Sequence, residues 1–122
     1  MPTIDALPSS EKKTMKDVKT DVRRTMPEIP VFAHNIVQCM LSRILFIWAM
    51  KHPASGYVQG INDLTTPFIL VFLGEQLQRM TDELSEEDME RVTDKQMRAA
   101  EADVYWCLNR VLEEVQDNFI EG

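Results

Sequence analysis

The segment from Asn35 to Lys51 constrains the fold more than any other part of this 122-residue chain. Its apolar residues recur at the spacing of a helix: Val37, Met40, Leu41, Ile44, Leu45 and Trp48. Phe46 and Ile47 widen this stripe to nearly the full circumference. A helix that is apolar on almost all sides must be covered by other elements. The chain is therefore expected to form a set of packed helices.

Two further segments, residues 9–24 and about 99–119, also have helical apolar spacing, and no pair of segments alternates as strands do. One of the two serines at positions 9 and 10 can cap the first helix. Pro27 and Pro30 then disfavour the α conformation in the residues before them, so the chain should leave this helix extended.

A third helix is predicted to start near Gly60 or Asn62 and to include the apolar run 68–73. That run alone resembles a strand, but its length and the lack of a second strand favour a helix. Pro67 is compatible with this helix only in its first turn or at a kink. The predicted fold class is all-α, with about four main helices and no sheet.

Charge and composition exclude several functions. The formal net charge of −7 argues against binding nucleic acid, which requires a basic surface. The span 36–50 is interrupted by polar residues and is too short to cross a membrane, and no secretory signal is visible. Cys39 and Cys107 lack metal-site spacing and are predicted to be buried, reduced thiols. We therefore expect a cytoplasmic protein.

Composition and charge also divide the chain into regions. Residues 1–13 are predicted to be a flexible lead-in, and residues 14–122 one domain with an acidic insert near 80–97. The insert is expected to be a loop or a surface helix, with its charges solvated. The helices carry more apolar surface than four of them can cover, so either the chain associates with itself or it is part of a larger domain.

Two short motifs carry the candidate chemistry. The first spaces Val18, Asp21 and Arg24 three residues apart at the end of the first helix, and the second reads Tyr57-Val58-Gln59-Gly60 in a loop. Asp21 lies one helical turn before Arg24, where it can hold the guanidinium group. An arginine and a glutamine on short rigid elements can complete a GTPase site from outside.

Each residue also has a simpler interpretation. Gln59 can cap the helix that follows it, and Arg24 can form an ordinary surface pair with Asp21, which contributes only a few tenths of a kcal/mol. Tyr57 can equally be a core aromatic residue. Taken one at a time, both simpler interpretations of Gln59 and Arg24 are favoured.

Taken together, the motifs and their flanks resemble the TBC domain, the Rab GTPase-activating domain, and within it the TBC1 domain family member 22 branch. The resemblance extends over roughly residues 14–79 and 97–122, and its flanks include Arg43–Ala49 and Glu101–Leu108. It implies an activator that stimulates GTP hydrolysis by a partner Rab in its GTP-bound state and catalyses no reaction of its own. It further implies no cofactor belonging to the chain, because GTP and Mg²⁺ belong to the partner.

The resemblance also implies roles for single residues. Arg24 would be an arginine finger and Gln59 a glutamine finger, while Arg23, where this branch usually has proline, is the competing candidate for Arg24. Five further residues would support the two fingers: Asp21, Tyr57, Gly60, Asn62 and Asp63. Attachment to Golgi or endosomal membranes would occur only through partners.

The resemblance is incomplete. The arginine–tryptophan motif that precedes the finger region in the family has no match in residues 1–13, and further helices would follow residue 122. We therefore expect a partial domain, whether fragment, partial gene model or isoform. The alternative function is a catalytically inactive fragment that acts as a GTPase-binding or protein-binding module.

Overall fold

A computed structural model describes residues 9–121, without the side chains at positions 10 and 115–121. This part of the chain contains no strand, and the predicted all-α class is confirmed. Its α-helices are α1 (Ser9–Arg23), α2 (Asn35–Lys51), α3 (Ile61–Leu77), α4 (Glu86–Arg91) and α5 (Asp94–Glu121). Two short 3-10 helices lie at Pro30–Ala33 and Thr81–Glu83. The four long helices are the predicted ones, and α4 adds a single short helix.

Helix α1 buries one face and ends just before the first candidate residue. Met15, Val18 and Val22 are fully or almost fully buried, as their spacing predicts. The helix includes residues 9–13, which the domain division placed in the lead-in, whereas residues 1–8 lie outside the described part. Met26 leaves the helical conformation as expected, but at a left-handed φ of 44° and not in the extended region.

Helix α2 is buried on most of its surface but not all round. Its apolar stripe, Phe46 included, is buried. Ile47 is 41% exposed, and Cys39 is exposed as well, so the prediction of a buried Cys39 thiol was wrong. Cys39, Arg43 and Ile47 follow one another at intervals of four, which brings all three to the same outer face.

Helix α3 runs without a break through residues 68–73, so the strand alternative is excluded. Pro67 lies inside this helix, beyond its first turn, and cannot donate to the carbonyl oxygen of Asp63. The Thr66 hydroxyl donates to that oxygen at 2.8 Å and satisfies it. A neighbouring side chain thus replaces the bond that the proline removes.

The acidic segment is better ordered than its charge suggests. Ser85 and Asp88 form a capping box at the start of α4, in which each side chain bonds the other residue's backbone N–H. Asp88 is buried, and its pKa is lowered chiefly because it accepts the backbone N–H of Ser85. Met89 beside it is fully buried. The predicted surface helix is therefore present, and of the acidic side chains from position 82 to position 94 only Asp88 departs from the prediction that these charges are solvated.

Helix α5 starts earlier than predicted because Thr93 and Gln96 cap it. The Gln96 N–H donates to the Thr93 hydroxyl at 3.1 Å, and the Thr93 N–H donates to Gln96 Oε1 at 2.9 Å. This reciprocal pair satisfies two donors that a helix start leaves free.

The four long helices share one apolar core. Helix α3 packs against α5, and α1 packs against α2 and contacts α3, so the end of α1 lies beside the start of α3. An ion pair also links α2 to α5, in which Arg43 Nη2 lies 2.6 Å from Glu101 Oε1. Large apolar side chains remain exposed on α3 and α5: Leu64, Val71 and Trp106. Self-association through such residues stays a prediction.

Candidate functional site

Arg24 follows the last residue of α1 and extends into solvent. Its backbone N–H donates to the Asp21 carbonyl oxygen at 3.1 Å, which continues the helical path by one residue. Its side chain is 65% exposed, and Nη2 donates to Asp21 Oδ1 at 3.1 Å. The predicted contact between residues three apart is present. The guanidinium group is thus anchored on one nitrogen and open elsewhere.

Asp21 joins the end of α1 to the loop between α2 and α3, which comprises residues 52–60. While Oδ1 accepts from Arg24, Oδ2 accepts the Tyr57 hydroxyl at 2.5 Å. Burial, followed by this hydrogen bond to Asp21, raises the pKa of Tyr57, so its hydroxyl stays protonated and donates. One carboxylate therefore holds both the arginine and the aromatic residue of the second motif.

Gln59 lies in a turn at the end of the α2–α3 loop, and its side chain is exposed as predicted. Gly60 after it has a φ of 107°, in the left-handed region that favours glycine. Gly60, and not Gln59, is the N-cap residue of α3, and it makes no side-chain capping bond. The simpler interpretation of Gln59 as a helix cap is therefore not what the structure contains.

Arg24 and Gln59 face the same open cleft. Two adjoining depressions of about 340 and 290 Å³ share three lining residues, Asp21, Arg24 and Gln59. We call this combined depression the cleft. Arg23 is also exposed but lines neither depression, so the structure separates the two neighbouring arginines.

Asn62 and Asp63 have different environments. Asn62 is buried in the first turn of α3, and its Oδ1 accepts the backbone N–H of Gly60 at 3.1 Å. Asp63 is exposed and lines the cleft. Asn62 therefore holds the loop directly, whereas Asp63 contributes a carboxylate to the cleft wall.

Thr25 is a residue that the sequence analysis missed. It is buried, and its hydroxyl lies between the Asp21 carbonyl oxygen at 2.7 Å and Asn62 Nδ2 at 3.0 Å. Its position directly after Arg24 was the one available signal, since a small hydroxyl side chain beside a helix end often bonds nearby backbone.

Metal-binding clusters and membrane-spanning helices are both absent from the part of the chain that the structure describes. No cluster of three or more His, Cys, Asp or Glu side chains in them is arranged to hold a metal ion. Within the same residues, no helix combines the length and the apolar character that spanning a bilayer requires.

The sequence matches a known domain family. Residues 4–122 match the family model described as the Rab-GTPase-TBC domain. The chain is 45% identical over 106 residues to TBC1 domain family member 22B of Homo sapiens, covering 87% of this chain and 20% of that protein. It is 44% identical over 116 residues to GTPase-activating protein GYP1 of Saccharomyces cerevisiae, covering 93% and 18%. The chain thus spans about a fifth of the length of these relatives.

A solved structure shows the same fold. The crystal structure of the Ypt/Rab-GAP domain of Gyp1p superposes with a TM-score of 0.82 at 43% identity, covering 93% of this chain and 36% of that one. The matched region includes both motifs of the cleft, because the family model extends from residue 4 to residue 122. The chain therefore belongs to the Rab-GTPase-TBC domain family.

Proposed function

We propose that this chain binds a GTP-loaded Rab-family GTPase and accelerates hydrolysis of its GTP by inserting Arg24 and Gln59 into the nucleotide site. The observation that carries the proposal is that these two exposed side chains face one cleft, while the Tyr57–Asp21 hydrogen bond connects the loop that contains Gln59 to the residue that holds Arg24. Phosphoryl transfer requires positioned charge and positioned water more than covalent chemistry, and this pair can supply both.

Arg24 would stabilise the negative charge that develops on the phosphate oxygens. A guanidinium group has five N–H donors in a planar fork, and the contact with Asp21 occupies only Nη2. The remaining donors are free to meet oxygens of the partner's nucleotide. Asp21 would keep the side chain in one orientation, which reduces the entropy lost when it engages.

Gln59 would orient the attacking water. A side-chain amide donates and accepts hydrogen bonds at once, which suits a water held between a phosphate and a carbonyl oxygen. The exposed side chain of Gln59 and the role of Gly60 as the N-cap leave that amide available.

The neighbouring residues would act as supports. Asp21 and Tyr57 would hold the arginine against the loop, while Gly60 and Asn62 would shape the turn. Asp63 would face the partner from the cleft wall. GTP and Mg²⁺ would both be provided by the GTPase, with no cofactor bound by this chain. The encounter would take place in the cytoplasm, with membrane attachment through partners.

The experiment is single-turnover GTP hydrolysis. A panel of purified Rab proteins is loaded with GTP, and phosphate release is followed with increasing amounts of the 122-residue chain. Acceleration of at least one Rab, saturating with chain concentration, is the expected result. Saturable binding to a GTP-loaded Rab with an unchanged hydrolysis rate would contradict the proposal and favour a binding module.

A matched pair of variants links that activity to the cleft. Arg24→Ala removes the arginine that lines the cleft, and Arg23→Ala removes its neighbour, which does not line it. Arg23 is the last residue of α1 and Arg24 directly follows it, and both are exposed, so the two changes alter the net charge equally at almost the same place. Only Arg24→Ala should abolish the acceleration.

A further inference from the structure

Gln59 has a polar contact on each side of it in the chain. Before it, the Tyr57 hydroxyl donates to the Asp21 carboxylate. After it, the Gly60 N–H donates to Asn62 Oδ1, and Asn62 Nδ2 donates to the Thr25 hydroxyl. Both contacts lead to the end of α1, close to Arg24. The second connection depends on Thr25, which directly follows Arg24 in the chain.

The Thr25 hydroxyl is the centre of a closed set of hydrogen bonds. It donates to the Asp21 carbonyl oxygen at 2.7 Å and accepts from Asn62 Nδ2 at 3.0 Å. The hydroxyl thus donates one hydrogen bond and accepts another, and a methyl group in its place could do neither. Asp21 is also the residue whose carboxylate accepts a hydrogen bond from Arg24. The Thr25 hydroxyl therefore contacts the backbone of the residue that holds the Arg24 side chain.

The surroundings make these bonds consequential. Thr25 is 2% exposed and Asn62 is 7% exposed, so water has little access to either side chain. A buried polar atom without a partner costs more than the net value of the bond that it loses. Asn62 Nδ2 would lose its partner if the hydroxyl were absent, and the amide would then turn toward solvent. Its Oδ1 would move with it and release the Gly60 N–H.

We propose that Thr25 is a positioning residue, which fixes the Gln59 turn to the end of α1 by holding the Asn62 amide in place. The part of the proposal that concerns catalysis rests on the proposed function, whereas the link between Thr25 and Gly60 does not. Thr25 and Asn62 together are called the clamp. The clamp sets the distance between the two candidate fingers from one side, and the Asp21–Tyr57 bond sets it from the other.

Amide hydrogen exchange of Gly60, followed by NMR on the 122-residue chain, tests the clamp directly. Thr25→Val keeps the shape of the side chain and removes its hydroxyl, whereas Thr25→Ser keeps the hydroxyl and removes a methyl group. Thr25→Val should speed exchange at Gly60 by about fivefold to tenfold, as expected for one buried hydrogen bond. Thr25→Ser should leave it near the parent rate, and the Ile69 amide in the core of α3 reports any global loosening.

A second variant keeps the test decisive if Thr25→Val folds poorly. Asn62→Ala removes the acceptor of the Gly60 N–H itself and should speed its exchange by a similar factor. The double variant should be no faster than the faster single one, because both remove the same connection. Additive effects of the two changes, or unchanged Gly60 exchange in a folded Thr25→Val chain, would overturn the clamp.

Hydrolysis kinetics distinguish a positioning role of Thr25 from a role in stabilising the fold alone. In a single-turnover assay with a responsive Rab, Thr25→Val should lower the maximal rate by about tenfold or more while the half-saturating chain concentration stays unchanged. Thr25→Ser should restore the rate. A full maximal rate alongside faster Gly60 exchange would overturn the positioning role. If the parent chain activates no Rab, the proposed function fails, and the exchange data alone still decide whether Thr25 holds the turn.

Discussion

Around the cleft, buried polar side chains join α1 to the start of α3, whereas helix α2 is held by apolar packing. Asp21, Thr25 and Asn62 are buried and hydrogen-bonded to one another's backbone or side chains. Leu41 and Leu45 of α2 are buried among other apolar side chains. Hydrogen bonds are directional, so the cleft can hold one geometry, while apolar contact mainly supplies free energy of folding.

This difference predicts that changes in the two regions affect different quantities. Exposed residues of the cleft should affect GTP hydrolysis with little effect on stability, and core residues should do the reverse. Residues that connect the cleft to the fold should affect both. The changes below test that division, beginning with the largest expected effect.

Arg24→Ala should lower Rab GTP hydrolysis by roughly 10³-fold or more, the range expected for an arginine finger. The side chain is 65% exposed and its pairing with Asp21 is at the surface, so the free energy of unfolding should hardly change. Single-turnover hydrolysis and a urea titration measure the two quantities. Equal losses from Arg23→Ala and Arg24→Ala would mean that the finger is misassigned.

Gln59→Ala should reduce hydrolysis by an amount comparable to Arg24→Ala, because an alanine cannot orient the attacking water. Exchange at the Gly60 amide should stay at the parent rate, since its bond to Asn62 does not involve the Gln59 side chain. Val58→Ala, which truncates the exposed preceding residue, is the control. A normal hydrolysis rate in Gln59→Ala would remove the glutamine from the mechanism.

Leu45→Ala should lower the free energy of unfolding by about 2–5 kcal/mol, the cost of deleting a fully buried leucine side chain and leaving a cavity. Chemical denaturation followed by circular dichroism measures it. Ile47→Ala on the exposed face of the same helix should cost much less. Similar losses from the two changes would show that the exposed face of α2 is covered in solution.

Tyr57→Phe should lower the free energy of unfolding by about 1–2 kcal/mol, because it removes one hydrogen bond to the buried Asp21 carboxylate. The raised pKa of Tyr57 stabilises the fold fully below the ordinary tyrosine value of about 10, and this contribution is lost as pH rises toward the folded value. Stability measured from pH 8 to 11 should therefore fall more steeply for the parent chain than for Tyr57→Phe. Parallel curves would contradict this assignment.

Much of the fold could be predicted from the apolar spacing. The bounds of α2 follow from its stripe, and the helical state of residues 68–73 follows from the length of their run. Hydrogen bonds between nearby polar groups account for the features that apolar spacing did not predict. The Thr66 hydroxyl satisfies the carbonyl that Pro67 leaves free, and the Ser85–Asp88 capping box orders the acidic segment. Apolar periodicity contains no information about such bonds.

The cleft shows the same limit. The spacing of Asp21 and Arg24 predicts their contact, and the glycine after Gln59 predicts an unusual turn. The bonds from Asp21 to Tyr57 and from Thr25 to Asn62 join residues 36 and 37 positions apart, and only the tertiary fold brings them together. The type of amino acid at one of these positions does not reveal which distant residue it will bond.

The most direct test is the affinity of the chain for a Rab loaded with GDP, measured with and without aluminium fluoride, which with GDP imitates the transition state of GTP hydrolysis. An activator binds that state more tightly than the ground state. The predicted result is binding strengthened by about a hundredfold or more when aluminium fluoride is added, with the gain lost in Arg24→Ala and in Gln59→Ala. Equal affinity with and without aluminium fluoride would contradict activation through these two residues.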